Sequence, residues 1–173
     1  KVQAIPGPWN YRDLAGFCRE HGRERQAHDW LERGLMAYPD DLRLLDMLAQ
    51  SHEREGFPED ALRLRWGAFQ RQPGEATFLK LRETAGILGA WGEWRTKALE
   101  HIQQQAQRNQ WLGDDLRVTL MLAEDNLAEA WRIARDGTLI GSTWARLAPA
   151  LEADEPEGAL RAYRTLVRIG IDQ

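Results

Sequence analysis

Residues 11–40 read YRDLAGFCREHGRERQAHDWLERGLMAYPD, and residues 45–74 read LDMLAQSHEREGFPEDALRLRWGAFQRQPG. Laid over one another at a shift of 34 they agree at five places: Leu14 with Leu48, Ala15 with Ala49, Gly22 with Gly56, Ala27 with Ala61, and Pro39 with Pro73. Gly34 over Ala68 adds a small position and Leu35 over Phe69 a large one. A period between 20 and 50 residues is the mark of a repeat architecture, and each agreeing position has a physical reason. Leu14 and Leu48 supply apolar volume between the helices of a hairpin. Ala15, Ala49, Ala27 and Ala61 let helix axes approach closely. Gly22 and Gly56 suit the left-handed conformation that commonly closes a helix. Pro39 and Pro73 stop the second helix and begin the next connection. The stretch therefore predicts two stacked helical hairpins.

At these residues the sequence resembles the tetratricopeptide repeat family, whose order is a large residue, Leu, Gly or Ala, an aromatic, Ala, an aromatic, Ala and then Pro. The first repeat offers Tyr11, Leu14, Ala15, Cys18, Ala27, Leu31, Gly34 and Pro39, and the second Leu45, Leu48, Ala49, His52, Ala61, Arg65, Ala68 and Pro73. Cys18 and His52 stand where an aromatic is usual, and Arg65 replaces a large apolar residue.

Past residue 74 the strict period fails, because a further 34 puts Arg82, Glu83 and Ala90 in the Leu, small and Gly slots. Helical spacing persists: Phe78, Leu81, Ala85 and Leu88 form one stripe and Trp94, Ala98, Ile102 and Ala106 the next, with Gly89-Ala90-Trp91-Gly92 between them. Gly113-Asp114-Asp115 is expected to open another helix, Leu127 to Ala134 to form the following one, and Ser142 to cap a helix that Pro149 kinks or shortens. Glu155-Pro156-Glu157-Gly158-Ala159-Leu160 echoes Phe57-Pro58-Glu59-Asp60-Ala61-Leu62, with Pro at a helix start and acids near its positive end. The expectation is ten helices in five antiparallel hairpins. It gives an all-α fold wound as a right-handed superhelix: an irregular lead-in over 1–8, then one solenoid over 9–173, with clear repeats at 9–40 and 41–74 and degenerate ones over 75–173.

The chain has 173 residues, 43% of them hydrophobic, and one cysteine, which excludes an intrachain disulfide framework. No apolar run approaches the 18 residues of a membrane span. Lys1 is followed by no basic-then-apolar signal segment, which suggests a cytoplasmic fragment of a longer protein. The net charge of −4 lacks the basic excess that phosphate neutralisation demands.

The search for chemistry gives no catalytic residue, metal site or cofactor. Cys18 and His21 have a ligand-like spacing, yet a structural zinc needs four ligands and no second cysteine exists. Cys18 and His52, sharing one repeat slot, read as packing residues. Ser51-His52 point different ways on a helix, and Gly86 to Gly92 lacks the Lys and the flanking strand of a phosphate loop. Of the eight tryptophans, Trp30, Trp66, Trp94, Trp131 and Trp144 read as packing residues, and Trp9 and Trp111 as candidates for exposed contacts.

In the resembled family the first helix of each pair lines a concave groove. The resemblance implies groove positions at Trp9, Arg12, Gly16 and Arg19, then Arg43, Asp46, Gln50 and Glu53, with Thr77, Lys80 and Thr84 in the third pair. Trp9, Arg12, Arg19, Arg43, Asp46, Gln50 and Lys80 are the candidates for a peptide-binding groove. Its mixed charge, with Arg at one end, permits an acidic or extended peptide. The two asparagine slots of the family's carboxylate-clamp subclass fall at Gly16 and Met47, so that subclass is rejected.

Four phrases, Trp30 to Leu35, Leu64 to Phe69, Trp94 to Leu99 and Pro156 to Arg164, together look like the C-terminal repeat region of bacterial SWIM-type zinc-finger proteins. The functional expectation is a non-catalytic scaffold for a protein or peptide ligand. The alternative is a nucleic-acid-associated accessory domain of a larger SWIM-type protein whose zinc module is absent from this chain.

Overall fold

The turn that closes the first hairpin recurs along the chain. Gly22, Gly56 and Gly89 have φ of 69°, 84° and 65°, and the amide after each reaches back to a carbonyl five residues earlier: Arg23 to Cys18 at 2.8 Å, Phe57 to His52 at 2.8 Å, Ala90 to Ala85 at 2.9 Å. This left-handed closure satisfies helix-end carbonyls that otherwise lack partners. A fourth copy uses Asp125, φ 57°, with Asn126 reaching back to Met121 at 2.9 Å.

The computed structural model describes residues 7–107 and 110–171; for residues 110–112 and 171 only the backbone is described. Among the described residues there are ten helices and no strand: α1 (Pro8–Glu20), α2 (Glu24–Ala37), α3 (Leu42–Glu55), α4 (Pro58–Arg71), α5 (Glu75–Ile87), α6 (Trp91–Ala106), α7 (Gln110–Ala123), α8 (Leu127–Ala134), α9 (Gly141–Leu151) and α10 (Pro156–Ile171). The fold is all-α. The starts of α1 and α3, and of α2 and α4, lie 34 residues apart, whereas α5 and α6 follow α3 and α4 by 33. The period therefore slips by one residue rather than failing. Leu81 takes the slot of Leu48, Gly89 that of Gly56, and Leu81 is fully buried.

The chain, read from sequence as one solenoid, divides into two compact units, residues 1–95 and 96–173. In the first unit α1 packs on α2 and α3 on α4, and the second helix of one hairpin meets the first of the next, α2 on α3 and α4 on α5. Ala15, Cys18, Ala27, Leu31, Leu44 and Leu48 form one buried cluster. Gly34 is held by proximity: a Cβ there would stand 2.8 Å from Tyr11 Cβ and 3.0 Å from Leu44 Cδ2. Phe69 and Phe78 fill the following interface, their rings 6.0 Å apart and both fully buried. Asp41 caps α3 by accepting from the Leu44 amide at 2.8 Å.

In the second unit α7 packs on α8 and α9 on α10. Val118, Leu120, Met121, Ala130, Leu147, Leu151 and Ala162 are all buried there. Two expected helix starts are displaced. α7 begins at Gln110, ahead of Gly113-Asp114-Asp115, and α9 begins at Gly141, with Ile140 as its N-cap and Ser142 already inside the first turn. The Asp115 carboxylate, not a serine, fixes that entry by accepting from the Ile140 amide at 3.0 Å. Pro149 lies inside α9, which ends two residues later.

One further sequence expectation is corrected. Leu14 is 41% exposed, although its counterpart Leu48 is 5% exposed. Leu48 shares its buried cluster with Ala27 and Leu31 of the preceding hairpin, whereas Leu14 is not part of that cluster.

Candidate functional site

Three first-of-pair helices of the first unit, α1, α3 and α5, bring Arg12, Arg19, Arg43, Asp46 and Lys80 onto two adjoining hollows. One, about 620 Å³, is lined by Arg12, Asp13, Gly16, Phe17, Arg19, Glu20, Arg43, Asp46 and Met47. The other, about 170 Å³, is more enclosed and largely apolar, and lies among Leu42, Arg43, Asp46, Arg65, Ala68, Ala76, Thr77 and Lys80. Arg43 and Asp46 border both. Gly16 leaves open space at the base of the larger hollow, since a Cβ there would meet no atom within 4 Å.

The sequence did not anticipate what lies beneath. Arg65 of α4, in a slot the repeat pattern reserves for a large apolar side chain, is only 6% exposed. Its guanidinium reaches Asp46 through Nη1 and Glu53 through Nη2 at 3.3 Å. Lys80 Nζ joins Asp46 at 2.7 Å, Gln50 Nε2 donates to its other oxygen at 3.2 Å, and the fully buried Thr84 hydroxyl donates to Glu53 at 2.6 Å. Side chains from α3, α4 and α5 thus form one network around Arg65. A buried cation is tolerated only when its donors are spent on partners, and the two carboxylates on one face of α3, seven residues apart, supply them. Burial alone would raise the Asp46 pKa. The hydrogen bonds from Lys80 and then Arg65, together with their charges, outweigh it and hold Asp46 below the usual carboxylate value.

The candidate residues therefore divide into two groups. Asp46, Gln50 and Lys80 belong to this internal network, with Lys80 still half exposed. Arg12, Arg19 and Arg43 line the hollows and make no ion pair among the described residues. Trp9 is 59% exposed at the start of α1 and borders neither hollow. The side chain of Trp111 lies outside the described residues. The five tryptophans read as packing residues are half-buried or buried: Trp66 meets Trp94 edge-on at 5.6 Å, and Trp144 is 8% exposed.

Cys18 is buried in the core of the first hairpin, and the His52 ring meets His28 edge-on at 4.8 Å and Phe57 at 6.5 Å. Among the described residues no group of three or more His, Cys, Asp or Glu could hold a metal ion. No helix among them is long and apolar enough to cross a membrane.

No family model matches the chain, and no curated protein does. Among solved structures it is similar to MamA protein, with 16% identity over 93% of this chain and 90% of that one and a TM-score of 0.45. It is also similar to TTC0263, a thermophilic TPR protein in Thermus thermophilus, with 18% identity over 94% and 91% of the two chains and a TM-score of 0.43. YrrB, a TPR protein with an unusual peptide-binding site, shows 14% identity over 94% and 86%, again with a TM-score of 0.43.

Proposed function

We propose that this chain is a non-catalytic, tetratricopeptide-like scaffold that binds an extended, acidic segment of a partner protein along α1, α3 and α5. The observation that carries this reading is the charge left over on the groove. Asp46 and Glu53 are already engaged by Arg65, Lys80 and Thr84, while Arg12, Arg19 and Arg43 line the hollows without an ion pair among the described residues and outnumber the two unpaired acids beside them, Asp13 and Glu20. Guanidinium groups that are oriented but unspent favour two-point contact with carboxylates. The smaller hollow has the volume of one apolar side chain, so it suits an anchor such as Leu or Met flanked by acids.

The test is an array of extended peptides, each with a single Leu between acidic residues, scored against arrays in which the acids are replaced by Gln or Lys. Preferential capture of the acidic array is expected. Arg12→Glu and Arg43→Glu should each weaken it about tenfold, the worth of one charge-assisted contact. Equal capture of all arrays, or reversals that leave capture intact, would refute the groove assignment. No observation favours the zinc-finger accessory reading.

A further inference from the structure

The second unit holds a hollow of its own, about 330 Å³, walled by α8, α9, the connection between them and α10. Leu139 and Trp144, both buried, and the half-buried Trp131 and Ile169 supply its apolar surface. Three arginines, Arg135, Arg161 and Arg168, line it as well, all of them exposed. No carboxylate does, whereas the hollows of the first unit carry Asp13, Glu20 and Asp46. In a chain of net charge −4, three cations around one hollow with no acid in its walls reverse the sign locally.

Two of these arginines are placed and unspent. Glu157 stands one turn before Arg161, the spacing and order that best suit a helical ion pair, yet Arg161 makes no ion pair among the described residues. Its guanidinium lies instead over the Trp131 ring, 5.6 Å from the centroid. Gly158 lets that ring in, since a Cβ there would stand 3.0 Å from Trp131 Cε2 and 3.1 Å from Cζ2. Arg168 follows two turns later on the same side of α10, and it too makes no ion pair among the described residues. The exposed Thr138 hydroxyl makes no hydrogen bond among them. Only Arg135 has an acid near, the exposed Asp136 at 3.4 Å.

Unpaired guanidiniums around a hollow suit an anion, and the remaining walls set its kind. A bare inorganic ion would leave the apolar floor in contact with water. The volume lies at the lower end of the range that holds a small organic ligand. Two guanidiniums and a hydroxyl also offer more donors than the two oxygens of one carboxylate can use, whereas a phosphate monoester presents three oxygens and a charge of about −1.5 to −2 at neutral pH.

We propose that this hollow binds a small organic phosphate monoester, the phosphate held between Arg161 and Arg168 and the apolar body lying against Trp144 and Leu139. Trp131 is a positioning residue, acting through the guanidinium it carries. The site lies wholly within the second unit and shares no residue with the hollows along α1, α3 and α5, so the inference stands whether or not that groove binds peptide.

The experiment is calorimetric titration of the full chain with phenyl phosphate, inorganic phosphate, benzoate and phenol. Phenyl phosphate is expected to bind about tenfold or more tightly than each of the other three, which lack either the apolar body or the full phosphate. Arg161→Gln and Arg168→Gln should each weaken it about tenfold or more, the loss of one charge-assisted contact. Arg164→Gln removes the same charge from the same helix at a position outside the hollow and should change affinity by no more than about twofold. Arg12→Glu, in the first unit, should leave it unchanged. All four positions have side chains at least partly open to solvent, and unchanged helical circular dichroism confirms folding. Absence of saturable phenyl phosphate binding up to about 10 mM overturns the proposal. So does inorganic phosphate or benzoate bound as tightly, or a loss in Arg164→Gln or Arg12→Glu equal to that in Arg161→Gln. A phosphotyrosine peptide presents the same group on a protein, and its binding about tenfold tighter than phenyl phosphate would overturn the small-molecule assignment.

Discussion

Replacing Arg65 by methionine keeps most of the buried stem and removes the charge, so it isolates the ionic part of the network. Breaking a buried pair by deleting one partner costs about 3–5 kcal/mol, because the remaining charge is left without compensation. The carboxylates of Asp46 and Glu53 are 26% and 24% exposed, and they keep Lys80, Gln50 and Thr84 as partners. Solvent screening and those contacts reduce the expected loss to about 2–3 kcal/mol. With a urea m-value of about 2 kcal/mol/M, the midpoint should fall by about 1 M or more at unchanged m. Adding Asp46→Asn and Glu53→Gln to Arg65→Met removes the stranded charges and should recover stability to within about 1 kcal/mol of wild type. The pH dependence supplies a second reading. Because the folded-state pKa of Asp46 lies below its ordinary value of 3.8, its contribution is complete above the unfolded pKa and is lost as pH falls through the folded one. The gap between wild type and Arg65→Met should therefore stay constant from neutral pH to about pH 4 and narrow below it. An Arg65→Met protein with the wild-type midpoint, or a higher one, would refute the claim that this arginine is held by its ion pairs.

Gly34→Ala forces a methyl against Tyr11 Cβ and Leu44 Cδ2 at 2.8 and 3.0 Å; a loss of about 1–3 kcal/mol is expected, read as a fall in melting temperature of about 2–4 °C per kcal/mol for a chain of this size. Asp125→Gly should act in the opposite direction, because Asp125 holds φ at 57° in a turn where Gly22, Gly56 and Gly89 stand in the other hairpins. A gain of about 0.5–1 kcal/mol is expected, and a melting temperature at or below wild type would argue against equivalence of the four turns.

Those turns show what made the fold legible. The reading from sequence depended on a fixed shift of 34, and at that shift the third hairpin presents Arg82 and Ala90 where Leu and Gly belong. With one residue fewer in the repeat, Leu81 is buried and Gly89 makes the left-handed closure, with the same back-bond to Ala85 that Gly56 permits to His52. The physics of the joint is kept across the slip; only the count changes. The fourth turn was hidden differently, by Asp125 in a conformation that glycine adopts without cost. Leu14 was misread for a third reason: Leu48 is buried against Ala27 and Leu31 of the hairpin before it, a contact that a comparison of residues within a repeat cannot supply.

Arg65 connects the fold to the site. As a departure from an apolar slot it was visible in the sequence, but its partners are 12 and 19 residues away on another helix, and no helical periodicity joins them. Its consequence for the groove follows from charge balance. A leucine at position 65 would pack against α5 and leave Asp46 and Glu53 on the groove face with only Lys80 and Thr84 to answer them. Arg65 from below takes up both carboxylates, and on the rim Arg12, Arg19 and Arg43 then outnumber the remaining acids, Asp13 and Glu20. A substitution in the floor thus sets the electrostatic sign of the surface above it. By the same reasoning, the triple variant, with its floor neutral at all three positions under an unchanged rim, should retain the preference for acidic peptides. Arg65→Met alone, which returns two acids to the groove, should diminish it.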